Sequence, residues 1–191
     1  MFDPTQIILM YFIVPLWLLA GLADWFCHRH SHIASTAGLK ESAIHLLMFI
    51  EVGIPLLMAL FLDINALVIV VSVVLFFVHE LTALWDVSYA SEKRHVSPIE
   101  QHIHSFLEMI PLMALILIIV THWSQFLALL AVGSEQASFS LALKSPALPG
   151  SYVILVLVAV GLVAILPYAE EFYRCYQGRK NTRRDKADSA N

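Results

Sequence analysis

Eight of the nine histidines of this chain lie between His28 and His104, in a stretch that also carries Asp24, Glu41, Glu51, Glu80, Asp86, Glu100 and Glu108. Imidazole and carboxylate together suit iron, manganese or zinc, whereas copper(I) and iron-sulfur chemistry wants thiolates. Only two cysteines are present, Cys27 and Cys175, with no partner at zinc-ribbon spacing. Asp24 and His28, Glu41 and His45, and Glu100 and His104 each stand four residues apart, and His79 and Asp86 stand seven apart with Thr82 between them. On a helix these spacings put both side chains on one face, so each helix can offer two ligands to one centre. The expected ligands are Asp24, His28, His32, His45, His79, Asp86, His104 and Glu108. Glu41, Glu51, Glu80, Glu100 and His102 stand behind them as alternative ligands or as groups that orient the histidines. With this many candidates, two metal ions are expected rather than one, iron first, with zinc or manganese as alternatives.

The elements that must position these groups lie in a membrane. Of 191 residues 59% are hydrophobic and 14% charged, against about 25% charged in a soluble domain. A charged side chain at the bilayer centre costs on the order of 3 kcal/mol, so the cluster needs a compensating partner, and metal ions supply one. Crossing the hydrocarbon takes roughly 20 apolar residues, and hydropathy marks five spans at about 5–26, 42–62, 66–87, 103–123 and 151–168. The expected fold is an all-α polytopic membrane helical bundle. Residues 1–169 form the bundle with its buried metal site, and 170–191 form a basic tail expected to be disordered. The first span has no basic stretch before it and is too long for a cleaved leader, so it is expected to remain. Residues 124–133 read as an interfacial or re-entrant piece, and 134–150, with Pro146 and Pro149, as a loop.

Ten of the eleven lysines and arginines fall on one side of a five-span arrangement: Arg29 and Lys40, Lys93 and Arg94, and the six from Arg174 to Lys186. The positive-inside rule then puts the N-terminus outside and the C-terminus in the cytoplasm, in a cell (inner) membrane. On that layout four helices deliver their ligand-type residues to the cytoplasmic face. A formal net charge of -4 argues against nucleic acid as a partner. Five spans make a small bundle, so a homodimer is an expected assembly.

Several of these groups also have plainer readings. His30 and His95 read as exposed loop residues and His122 as an interfacial anchor beside Trp123; for His79 the alternative to a ligand is an interhelical hydrogen bond. His79-Glu80-Leu81-Thr82-Ala83 starts like the HExxH zinc-protease helix, but position 83 is alanine, which disfavours an intramembrane protease. Pro55, Pro111 and Pro167 fall within or beside spans, where a kink would open space for a substrate.

The clusters His28-Arg29-His30-Ser31-His32 and His102-Ile103-His104 resemble the histidine boxes of the integral-membrane di-iron family of fatty acid hydroxylases, desaturases and alkane hydroxylases. The resemblance covers residues 24 to 108. His28 and His32 match the family's first HxxxH box, whereas His79 and the His102, His104 pair do not reproduce its later HxxHH boxes, and this chain has more carboxylates. The strings WDVSYA (85–90) and PIEQHIHSFLEM (98–109) are also similar to those of a bacterial membrane family with no assigned activity. The di-iron resemblance implies an oxidoreductase that activates oxygen and oxidises a lipid or other apolar substrate. Electrons would come from a separate reductase, since no GxGxxG fingerprint is present. A zinc-dependent lipid hydrolase would use the same ligands, and a bis-histidine haem protein carrying electrons ranks below it.

Overall fold

A computed structural model of the chain describes residues 3–189. Helix α1 runs Pro4–His30, α2 Leu39–Phe61, α3 Ala66–Lys93 and α4 Pro98–Thr121; α5 is the short Trp123–Leu129. Helix α6 starts at Gly150 and continues without a break to Asp188. Among the described residues there is no strand, only one bridge between Leu62 and Leu143. Helices α1, α2, α3, α4 and α6 are long and apolar enough to cross a membrane. The fold is the expected all-α helical bundle.

The helix starts are set by capping side chains, to which hydropathy is blind. Asp3 accepts the Thr5 N–H at 2.8 Å ahead of Pro4, and Asn65 accepts those of Leu67 and Val68 ahead of α3. Ser97 and Glu100 form a capping box with Pro98 at the first turn. Helix α4 therefore begins at Pro98 rather than near residue 103, and Glu100 is inside it. Two helices also carry a wide turn, Leu9–Ile13 in α1 and Gly161–Ile165 in α6, each just before a proline, Pro15 and Pro167. A proline ring collides with the carbonyl four residues back, here on Tyr11 and Val163. Widening the turn moves that carbonyl aside, and the helix continues.

The five long helices close a ring: α1 packs against α4 and α6, α4 against α3, α3 against α2, and α2 against α6. Helix α6 thus enters between α1 and α2, which are neighbours in sequence. Its second half lies on the connection between them, where Cys175 packs with Ile33 and Ala37. A Cβ on Gly178 would stand 3.0 Å from the Ala34 carbonyl oxygen, so this approach depends on glycine. The boundary expected between residues 169 and 170 falls inside α6, and Glu171 and Cys175 beyond it are fully buried. The reason is amphipathic: Tyr168, Glu171 and Cys175 share the inward stripe, while Glu170 faces out to Arg29 and Arg174.

Candidate metal centre

At one end of the ring each of the five long helices contributes one buried carboxylate: Asp24 from α1, Glu41 from α2, Asp86 from α3, Glu100 from α4 and Glu171 from α6. His28 and His45 lie among them, their rings stacked 4.2 Å apart and 9° from parallel. Glu171 joins the two. The His28 Nδ1–H donates to its Oε2 at 3.0 Å and the His45 Nδ1–H to its Oε1 at 2.9 Å. An ionised carboxylate can only accept, so this contact fixes the proton on both Nδ1 atoms.

Pinned in this way, both Nε2 atoms point at further carboxylates. His28 Nε2 is 3.5 Å from Asp24 Oδ1 and 3.5 Å from Glu100 Oε1. His45 Nε2 is 3.3 Å from Asp86 Oδ1 and 4.0 Å from Glu41 Oε1. His104 Nε2 stands 2.9 Å from Asp24 Oδ1. His28 Nε2, Asp24 Oδ1 and Asp86 Oδ1 are buried without a hydrogen bond, and an unprotonated Nε2 facing carboxylate oxygen is repulsive until a proton or a metal cation comes between them. Two overlapping groups have ligand atoms close enough together to hold an ion: Asp24, His28 and His104, and His28, Glu41 and His45.

Arg94, at the end of α3, pairs with both Glu41 and Glu100. Burial works against its charge, but the hydrogen bonds to Glu100 and Glu41 and their charges together outweigh it and hold the guanidinium pKa above the ordinary arginine range. Opposite, the Tyr168 hydroxyl lies 3.3 Å from Asp24 Oδ2 and 3.3 Å from the Gly21 carbonyl. A cavity of about 60 Å³ opens beside His45, Asp86 and His104.

Of the eight expected ligands, Asp24, His28, His45, Asp86 and His104 are drawn together here, and Glu41 and Glu100, expected behind them, stand in the same cluster. His32 does not join it. This residue is exposed and leaves α1 in the left-handed region at φ 54°, which turns its side chain away. His102 is also exposed, against Phe106, on the far side of α4 from His104. His79 is buried but lies deeper, with Nδ1 3.6 Å from Glu51 Oε2, while the Thr82 hydroxyl donates to Glu51 Oε1 at 2.9 Å. Both nitrogens of His79 lack a hydrogen bond, and it belongs to neither group above. Glu108 borders the small cavity half-buried, and Glu80 Oε1 is buried without a partner. His30 and His95 are exposed, and the His122 ring Nδ1 lies 3.0 Å from the Ile118 carbonyl.

Sequence reasoning missed Glu171, Arg94 and Tyr168. The stripe Tyr168, Glu171, Cys175 is the signal that would have found Glu171, because it continues the helical period past the end of the apolar run. Comparison with protein-family models, with curated proteins and with solved structures finds no match to this chain.

Proposed function

We propose that this chain is an integral-membrane dimetal oxidoreductase, with iron as the metal, acting on a lipid or other apolar substrate. The observation that supports it is the Glu171 clamp: one carboxylate bonds both Nδ1 atoms, so His28 and His45 turn their Nε2 atoms toward acidic oxygens, His28 without a hydrogen bond and His45 at 3.3 Å from Asp86 Oδ2. This is the carboxylate-histidine arrangement that orients metal ligands. Charge supports the count of two. At this end of the ring, leaving aside the deeper Glu51, five buried carboxylates against the guanidinium of Arg94 leave four negative charges when the histidines are neutral, and two divalent cations would neutralise four.

One ion would take Asp24, His28 and His104, the other Glu41, His45 and Asp86, with Glu100 and Arg94 bracing the acidic ligands. Bound iron would supply dioxygen activation, using electrons from a separate reductase. The chain's own part is to fix the histidine tautomers through Glu171, to hold Asp24 through Tyr168, and to keep water out. Stacked rings that share one carboxylate cannot face each other across a porphyrin, which favours this reading over bis-histidine haem. The resemblance to the membrane di-iron family points the same way. The fall of ten of the eleven lysines and arginines of the sequence on one side of the five-span arrangement supports a cytoplasmic C-terminus in a cell (inner) membrane, and the exposed Arg179 and Lys180 offer a reductase a basic surface.

Elemental analysis and an absorption spectrum of the purified protein test this. About two equivalents of iron without a Soret band are expected. Two equivalents of zinc would replace the oxidoreductase with a lipid hydrolase. A Soret band, or no metal in a folded protein, would overturn the dimetal reading.

A further inference from the structure

Among the described residues three cationic side chains lie over aromatic rings, all at the metal end of the bundle, and they differ in what else they meet. The Arg29 guanidinium carbon stands 5.5 Å from the centre of the Trp25 ring, and its Nη1 also pairs with Glu170 at 2.8 Å. Lys40, in the first turn of α2, places Nζ 4.3 Å from the centre of the Tyr89 ring and 5.4 Å from that of Trp85. Lys93, at the end of α3, approaches the same Tyr89 ring at 5.9 Å. Among the described residues neither lysine has an ion pair.

The acids next to them in sequence are turned elsewhere. Glu41 follows Lys40 but is fully buried and held by Arg94. Glu92 precedes Lys93 and is exposed, and adjacent residues of a helix do not face each other. The ring that both lysines share is fixed by its hydroxyl, which donates to the Ala37 carbonyl at 3.1 Å. A ring face takes up one side of an ammonium, which has three N–H groups, so donors remain for another acceptor. Toward the middle of the bundle the surface beneath the lysines is apolar. Lys40 heads an exposed stripe of α2 that continues through Ala43, Leu47 and Ile50, and α3 exposes Trp85, Leu84 and Leu81 beside it. Spacings of three and four residues keep each stripe on one helix face.

We infer that this face of α2 and α3 binds an anionic phospholipid, its phosphate held by Lys40 and Lys93 and its acyl chains laid along the apolar stripes. Two ammonium groups without an acid at a membrane surface attract anionic lipid. A zwitterionic lipid brings its own cation to the lysines, and a soluble phosphate leaves the stripes uncovered. The lipid would lie just outside Glu41 and Arg94, which join the ends of the same two helices. The inference goes beyond the function proposed above and needs no metal, so the two can fail separately.

The test uses the full chain in phosphatidylcholine nanodiscs that carry a small fraction of phosphatidylglycerol, with bromine on the acyl chains of one lipid or the other. Brominated phosphatidylglycerol should quench Trp85 fluorescence at about a tenth of the mole fraction that brominated phosphatidylcholine needs, a preference of about 1.4 kcal/mol. Trp85→Phe should remove the difference, and Trp25→Phe, beside the acid-paired Arg29, should leave it. Lys40→Gln together with Lys93→Gln should abolish the preference, each alone should lose part of it, and Lys40→Arg together with Lys93→Arg should keep it. Equal quenching of Trp85 by the two lipids, or a preference that survives the paired Gln substitutions, would overturn the inference. So would a preference that Trp25→Phe removes, because the anionic lipid would then gather at Arg29 and not at the two lysines. If metal analysis fails while these results hold, the lipid site stands without the dimetal reading.

Discussion

In the half of the ring around His28 and His45, every long helix sends in an ionisable side chain that meets one from another helix. In the half around Met10, Leu60, Tyr152 and Val156, the helices meet through apolar packing around a cavity. Lipid tails are as apolar as these side chains, so the hydrophobic effect gives helices in a bilayer little reason to prefer one neighbour over another. The polar half does distinguish them. Glu171 reaches His28 on α1 and His45 on α2, and Arg94 reaches Glu41 on α2 and Glu100 on α4. Those contacts specify the ring order, and the apolar half is free to keep a void.

Several substitutions should break or sharpen this contrast. The largest effect is expected from Glu171→Ala, which frees both Nδ1 atoms at once: metal affinity should fall by 10- to 100-fold or more, on the order of what loss of such an orienting group costs, read by equilibrium dialysis against a chelator. Retention of both equivalents at wild-type affinity would show that the clamp is not what orients the ligands. Arg94→Met should come next, leaving Glu41 and Glu100 facing each other without their cation. It should destabilise the metal-free protein by about 3–5 kcal/mol in denaturant titration, and metal should restore part of that. Leu60→Ala, in the apolar half, should cost about 2 kcal/mol while leaving metal content unchanged; a change in metal content would mean that the two halves are not separable. The smallest effects belong to His32→Ala and His102→Ala, each within about 0.5 kcal/mol of wild type and with metal binding intact. Metal loss in either would contradict their exposure on the outside of the bundle.

Much of the acidic and histidine cluster was legible because helical spacing is a local property. Asp24 with His28, Glu41 with His45 and Glu100 with His104 need only a helix to share a face, and the apolar runs around them require helices. His32 shows where that logic stops: its spacing from His28 is helical, but the helix ends at His30 and the next residues turn away. Spacing also put His79 and Asp86 on one stripe, yet the ring brings Asp86 to His45 and leaves His79 beside Glu51. A stripe says which way a residue faces and nothing about the depth at which another helix meets it. Glu171 was hidden for the opposite reason. It sits in a charged segment, where composition resembles a solvated tail, and only its burial against α1 and α2 reveals it.

By itself the sequence determined the helices long and apolar enough to cross a membrane, their number and the end of the bundle at which the chemistry-bearing residues gather, because hydropathy and helical period are carried by neighbours along the chain. Only the tertiary structure decided that α6 inserts between α1 and α2, that one carboxylate from it governs two histidines, and that an apolar chamber runs behind them. Those outcomes depend on contacts across more than a hundred residues, and such contacts form between helix faces whose pairing no local pattern encodes.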